Sequence, residues 1–538
     1  MTAARRLGQS LAAAFVLVAV LAFSAAPTVL AHAALVSSTP MNGEQLASAP
    51  VEVVLAFTEQ VTSPQISLFD QTGTAVALAA TAVANGSEVR LALPKLANGG
   101  YAASWSAVSA DGHPVAGTIV FAIGADAVPP SASTIPSART PSIGAKIAAA
   151  AARMLHYIGL LSGLGLWAFA LLCWPVGLDD RVTRRIVVSA IAVGAVGGLA
   201  RVLVQPGYAS VALSSVMKSP SGRAWIAAAA WAAPSGIGAA LTIGRASRRT
   251  NLIAVSIAAI GSFSLVALGG HGGTGDSATR GIVLTVLHMS AASCWVGGLI
   301  GGWRVLRISA EQAHSVLRRF STVALVSVLV LAASGTTLAI RQLDSLSSIF
   351  ESGYGQALMS KIVLLLVLLC IAGLSRWTLH HGELRVIDAG REWVWSWPVV
   401  LSRTLVAEIA FAGLVIGATG VLAGSSPVVN NIAQPQELQL TSEGYFASVF
   451  LAPARVGSNT LHLSILPDAT SPDQLTIRFT PQDGRLAPTK TDLGSLKFGH
   501  VIADGLLIPY AGTWLVQIDA RYGDFKIVTF NGTIKISP

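Results

Sequence analysis

Several residues of this chain have the type and spacing to hold a metal ion. His32 directly follows Val29-Leu30-Ala31, and that triplet is preceded by Arg5, Arg6 and an apolar run from Leu11 to Phe23. A basic start, a short apolar core and small residues at its end are what signal peptidase reads, so residues 1–31 are expected to be removed. The run is too short for a comfortable membrane span. Cleavage after Ala31 makes His32 the first residue, and its α-amine and imidazole then form a two-nitrogen chelate outside the cytoplasm. Further along stands Asp111-Gly112-His113-Pro114. In extended backbone Asp111 and His113 point the same way, Gly112 permits unusual dihedrals and Pro114 stiffens the exit. Asp-x-His alone is more often a hydrogen-bonded turn than a metal site. Joined to His32, it completes an N,O donor set suited to tetragonal Cu(II).

Three more histidines, His156, His271 and His288, fall in or beside long apolar segments. Polar side chains are costly in lipid, so these are where function is expected within a membrane. His271 is flanked by Gly269-Gly270 and Gly272-Gly273, while Met154 and Met289 lie beside His156 and His288. At a similar depth the three could form a copper path; the alternative is buried imidazoles bonded to nearby carbonyls. Arg403 and Glu408 lie deeper and read as a packing anchor or a structural pair.

The elements that must position these residues follow from composition. Charged residues make up 11% of the 538 and the mean hydropathy is +0.64, against about 25% charged in soluble proteins. That identifies a polytopic membrane protein. Apolar segments near 146–174, 185–205, 223–243, 251–269, 281–303, 319–341, 358–378 and 402–424 are each long enough to span, the third being the weakest because of Pro234. Arginines concentrate in alternate loops, among them Arg184, Arg185, Arg248, Arg249, Arg318 and Arg319. The positive-inside rule then places both chain ends outside. It also accounts for the net charge of +9 without nucleic acid. Trp393, Trp395 and Trp397 suit an interfacial belt. Cys173, Cys294 and Cys370 sit in apolar runs and make no C-x-x-C motif, so they read as core residues.

On either side of the spans the apolar period falls to two, as in Val51–Phe57, Ser87–Leu93, Tyr101–Trp105 and Thr118–Ile123, and again in Tyr445–Leu451, Asn459–Ile465 and Thr513–Ile518. Short strands of this kind predict β-sandwiches. The expected organisation is a multi-domain membrane protein: signal peptide 1–31, β-sandwich 32–124, flexible linker 125–145, a bundle of eight transmembrane helices over 146–424, linker 425–435 and an immunoglobulin-like β-sandwich 436–538. His462 and His500 in the last domain read as ordinary packing or surface residues.

Two resemblances sharpen this. Ser38-Thr39-Pro40 and Trp105-Ser-Ala-Val-Ser-Ala-Asp-Gly-His-Pro-Val-Ala-Gly117, with a histidine just after the signal peptide, resemble the CopC family of extracytoplasmic copper-binding proteins. The resemblance implies Cu(II) ligands at His32, Asp111 and His113. Met41 is the domain's one methionine, so a soft, Met-rich Cu(I) site is not expected there. Leu287-His288 through Trp295-Val-Gly-Gly-Leu299, Tyr354-Gly355 with Leu358 and Lys361, and Arg403 with Glu408 resemble the CopD copper-handling membrane proteins, with Ser375-Arg376 where that family would have Asn-Arg. The C-terminal domain resembles YtkA-like domains. The resemblances imply a non-enzymatic protein of the bacterial plasma membrane that captures Cu(II) outside and carries copper across, for import or homeostasis. Its cargo is copper, as Cu(II) outside and Cu(I) in the membrane. Its other partners are the lipid bilayer and an extracytoplasmic copper chaperone or reductase. No P-loop is present, which argues against ATP-driven export. The readings kept beside it are copper resistance by sequestration without transport, and a membrane oxidoreductase whose histidines ligate haem. A copper monooxygenase is disfavoured because Asp111 would fill a position that oxygen chemistry needs open.

Overall fold

The structure, a computed structural model, describes residues 33–124, 127, 130, 141–274, 278–342, 348–388, 391–425 and 436–537, less positions 34, 43, 309, 352, 382, 453, 467–471, 495–499 and 524. The signal segment, His32 and most of both linkers lie outside the described residues. The chain divides into two compact units. One contains the helices together with the short stretch Val108–Pro114; the other contains the remainder of the N-terminal sandwich and the C-terminal sandwich.

The N-terminal domain is the expected sandwich. One sheet runs in the order β1 (Leu35–Thr39), β3 (Glu52–Phe57), β6 (Glu88–Ala92), β5 (Val83–Asn85); the other runs β2 (Glu44–Leu46), β8 (Pro114–Ile123), β7 (Gly99–Ser109), β4 (Val61–Asp70). The period-two residues Val53, Leu55 and Phe57 turn inward against Trp105, Ile119 and Phe121. Phe57 meets Trp105 edge-on, ring centroids 5.2 Å apart. Strands β7 and β8 thus rest on a packed core and hold between them the turn that carries Asp111 and His113.

Among the described residues, eight helices are long and apolar enough to cross a membrane: α1 (Ile143–Leu172), α2 (Arg181–Ala209), α3 (Pro220–Thr242), α4 (Arg248–Leu268), α5 (Ala278–Ile308), α6 (Ala310–Ile340), α7 (Gly353–His381) and α8 (Trp397–Leu422). Four of their starts are set by capping side chains. Ser142, Asp180, Ser219 and Ser247 each accept a backbone N–H of the first turn. Pro234 does not break α3; the helix continues through it, and Ser235 Oγ donates to Trp231 O at 2.8 Å. Helix α1 is the hub, with 72% of its apolar window buried against 6% for α7. It meets α5 so closely that a Cβ on Gly297 would lie 2.0 Å from the carbonyl carbon of Gly165. This is the small-residue packing of membrane helices. An antiparallel hairpin, β9 (Glu383–Asp388) with β10 (Arg391–Ser396), stands where only an arginine-rich loop is expected.

The C-terminal domain has two four-stranded sheets, β11 (Gln436–Ser442), β12 (Tyr445–Ala452), β13 (Gly457–Leu466), β16 (His500–Ile508) and β15 (Thr489–Gly494), β14 (Gln474–Pro481), β17 (Gly512–Tyr522), β18 (Lys526–Ile536). Val449, Leu461 and Leu463 of the first share one core with Ile477, Trp514 and Phe530 of the second, which makes it a sandwich. His462 points the other way from its neighbours and lies edge-on to Phe450, centroids 5.8 Å apart.

Candidate metal centre

The centre begins with a turn. Asp111 accepts from Ser109 Oγ and, at 3.1 Å, from the His113 backbone N–H, while Gly112 N donates to Ser109 O at 2.9 Å. Gly112 has φ +90°, and an added Cβ would sit 2.8 Å from the Trp225 ring, so a side chain is excluded twice over. Asp111 and His113 therefore converge through a carboxylate-capped turn. The extended alternation expected from the sequence is not what brings them together.

The helices clamp this turn. Gln205 Nε2 on α2 donates to Gly112 O at 2.6 Å, and His113 Nε2 lies 2.9 Å from Ala423 O, just past α8. Trp225 on α3 donates through Nε1 to Gly269 O at 2.7 Å, anchoring the glycine-rich end of α4 where His271 sits. His271 Nδ1 reaches Asp111 Oδ2 at 2.6 Å, and His113 Nδ1 lies 3.0 Å from Asp111 Oδ1. The two imidazoles are stacked, centroids 4.9 Å apart and 18° between planes. One donor atom from each of the three residues lies within 4.8 Å of the others. Donors held about 2.0–2.1 Å from a common metal stand roughly 3–4 Å apart, so the set is nearly closed around one ion.

The protons argue for a cation as well. A carbonyl only accepts, so His113 donates through Nε2 to Ala423 O, and its neutral Nδ1 then carries a lone pair toward the Asp111 carboxylate. Burial holds the His113 imidazole below its ordinary pKa, against the upward pull of Asp111. A neutral imidazole nitrogen facing a carboxylate oxygen at 3.0 Å is what a metal ion between them relieves. The His113-to-carbonyl bond is the outer-shell contact that fixes a metal-binding tautomer.

His271 thus joins Asp111 and His113, whereas His156 and His288 lie elsewhere. His156 Nδ1 donates to Gly194 O on α2 at 2.6 Å. His288 Nδ1 lies 2.9 Å from Ser334 Oγ, which itself donates to Val330 O at 2.6 Å. Since that hydroxyl's one proton is committed, His288 donates through Nδ1 and keeps the Nε2 lone pair. His288 and Met289 line the same cavity as the three-residue cluster, together with Tyr354 and Lys361; it holds about 190 Å³. His156 is not among its lining residues. Sequence reasoning passes over Gln205 and Trp225. An amide within an apolar span was the signal available for Gln205; nothing in the sequence marks Trp225. Glu408 is bonded by Ser375 of α7.

These features define a multi-pass membrane protein with a cluster on a sandwich turn whose donors could hold a metal ion. Residues 35–124 match the CopC domain and residues 314–422 match Copper resistance protein D. The chain carries a CopC and a CopD domain in one polypeptide, the domains of copper transport and resistance proteins. It is 28% identical over 545 aligned residues to the Copper transport protein CutJ of Bacillus subtilis (strain 168), covering 93% of this chain and 95% of that protein. Among solved structures it is similar to CopC from Methylosinus trichosporium OB3b (32% identity, 17% of this chain, 93% of that chain, TM-score 0.16). It is also similar to PcoC, a methionine-rich copper resistance protein from Escherichia coli (27%, 17%, 98%, TM-score 0.16).

Proposed function

We propose that the chain captures Cu(II) outside the cytoplasm at the Asp111–His113 turn and passes copper through its helical unit for uptake across the bacterial plasma membrane. The observation that carries this reading is the convergence of His271 on the Asp111–His113 pair. A ligand from the helices already touches the carboxylate of the capture turn, so copper can change hands by ligand exchange without diffusing free. His32, released by cleavage after Ala31, supplies its amine and ring nitrogen to the capture state. His271 takes their place in the hand-off state, and His288 with Met289 follows along the cavity. A thioether favours Cu(I), so an extracytoplasmic one-electron donor is a partner of this step. The arginine distribution supports this orientation, and the long relative named for copper transport supports the movement of copper. The donors of the cluster are nitrogen and oxygen atoms, which suit Cu(II).

The test is copper content in cells with the parent gene, with none, and with His288→Ala. Uptake predicts that the parent raises cytoplasmic copper, whereas His288→Ala falls to the level of the deletion and the purified variant still binds Cu(II). Equal cytoplasmic copper in all three strains would leave sequestration as the function.

A further inference from the structure

The cavity beside the metal cluster carries a charge that does not balance. Arg153 of α1, Arg201 of α2 and Lys361 of α7 all line it, against one carboxylate, Asp111. The three cations stand at a similar depth: ten residues after Ile143, eight before Ala209 and eight after Gly353, or about 12–15 Å from the helix ends. Asp111 is already engaged by Ser109, by the His113 N–H and by two imidazoles. A second cavity, of about 200 Å³, shows no such excess. It lies between the first half of α6, the last turns of α7 and the first turns of α8, its walls are apolar, and its ionisable side chains are Glu408 and Arg376.

Within the first cavity Arg201 is the cation least accounted for. It is 7% exposed, and its guanidinium carbon lies over the Trp225 ring, 4.5 Å from the centroid. A ring face attracts the charge but offers no lone pair to the five N–H donors. Among the described residues no hydrogen bond or ion pair reaches Arg201 or Lys361, whereas Arg153 donates through Nε to Gly420 O at 2.8 Å. Buried cations without a counter-charge are strongly disfavoured at membrane depth, and a copper ion bound at the cluster adds to the excess. Trp225 also fixes where Arg201 stands. Its ring would meet a Cβ on Gly112 at 2.8 Å, and its Nε1 donates to Gly269 O at 2.7 Å. The guanidinium is therefore seated on the residue that touches both halves of the cluster. A planar fork of donors held there suits an anion.

We infer that Arg201 forms an anion subsite of the first cavity, within the field of Arg153 and Lys361, and that it takes a small monovalent anion, a halide or a carboxylate, that accompanies copper. The anion accepts from the guanidinium N–H groups and offsets the charge that copper brings, so each tightens the binding of the other. The inference rests on the uptake reading for the anion's role, and it makes the cargo an ion pair in place of a bare cation.

The experiment titrates Cu(II) into the purified full-length chain in chloride, in acetate and in methanesulfonate at one ionic strength, corrected for the complexes copper forms with each anion in solution. The parent should bind Cu(II) about fivefold or more tightly in chloride, in acetate or in both than in methanesulfonate; whichever anion acts identifies the source. Arg201→Gln should bind it equally in all three media, within about twofold, while keeping a cooperative melt that shows it has folded. Lys361→Gln, which leaves Arg201 on Trp225, should lose at least half of the anion effect, and it decides alone if Arg201→Gln does not fold. No anion effect in the parent, or an effect of parental size in a folded Arg201→Gln, overturns the inference. Cellular copper contents decide the uptake reading separately, so the two fail independently.

Discussion

The two cavities of the helical unit are built from different ends of the same helices and solve opposite problems. The first is ringed by lone pairs and fixed dipoles: Asp111, His113, His271 and His288 all face it, and each of the first three is oriented by a second group. Such a site is formed before its cation arrives, so it loses little on binding. The second is apolar except for Glu408, Arg376, Ser321 and Ser375, and its single buried carboxyl has one neutral hydroxyl for company. It is poorly suited to holding a cation firmly. On the uptake reading proposed above, many pre-oriented donors suit capture at one end and few suit release at the other. What separates the two is how many donors are pre-oriented.

That contrast can be broken most directly at the cluster. Asp111 accepts from the turn and touches both imidazoles, so Asp111→Ala removes a ligand and the group that aligns two others. Losing an outer-shell partner costs about 10–100-fold in metal affinity; losing this ligand should cost more than about 100-fold by isothermal titration with Cu(II). His271→Ala removes only the helical ligand. A parent-like titration for both would mean the convergence is a hydrogen-bonded knot and the capture site lies elsewhere.

A smaller effect is expected one step out. Gln205 touches no candidate donor; its amide holds Gly112 O at 2.6 Å. Gln205→Leu should weaken Cu(II) binding by about tenfold, at the low end of outer-shell effects. Stability should fall by about 1 kcal/mol, the net worth of one hydrogen bond. Copper should recover much of the lost melting temperature, because a ligand that binds only the folded state stabilises it. If affinity is unchanged while stability drops, the clamp serves the fold alone.

How much of this could be read from the sequence differs between the parts for physical reasons. The spans were legible because apolar runs of this length rarely form anything but membrane helices, and the observed helices lie close to the expected ones, except that α6 begins at Ala310 rather than near 319. The Asp111–His113 pair was legible because its members are two residues apart in one turn. The meeting of His271 with Asp111 was not, since 160 residues separate them and only tertiary packing closes that distance. His156, His271 and His288 look equivalent in the sequence, yet they end up facing three different acceptors, a carbonyl, a carboxylate and a hydroxyl. The β9–β10 hairpin was missed because its arginines and tryptophans already had a sufficient reading as a cytoplasmic, interfacial loop. Glu408 was visible as an intramembrane acid, but its partner depends on how α7 packs on α8.

The smallest effect is expected in the second sandwich, and it tests what turns a buried histidine into a copper donor. His462 is 2% exposed, about as buried as His156 at 1%. Burial by itself makes imidazole a weaker cation but gives it no metal. What His113 and His271 share is a carboxylate at hydrogen-bond distance; His462 lies beside the ring of Phe450, which in turn packs with Ala102 and Val120 of the N-terminal sandwich. An aromatic edge orients an imidazole without supplying charge to share a cation. His462→Leu, near in volume and able to keep the Phe450 contact, should leave Cu(II) stoichiometry and affinity within about twofold of the parent, well below the change expected for an outer-shell residue. Loss of one bound copper per chain in this variant would show that the second sandwich holds a copper site of its own, and the contrast between the cavities would then have to rest on donor number alone.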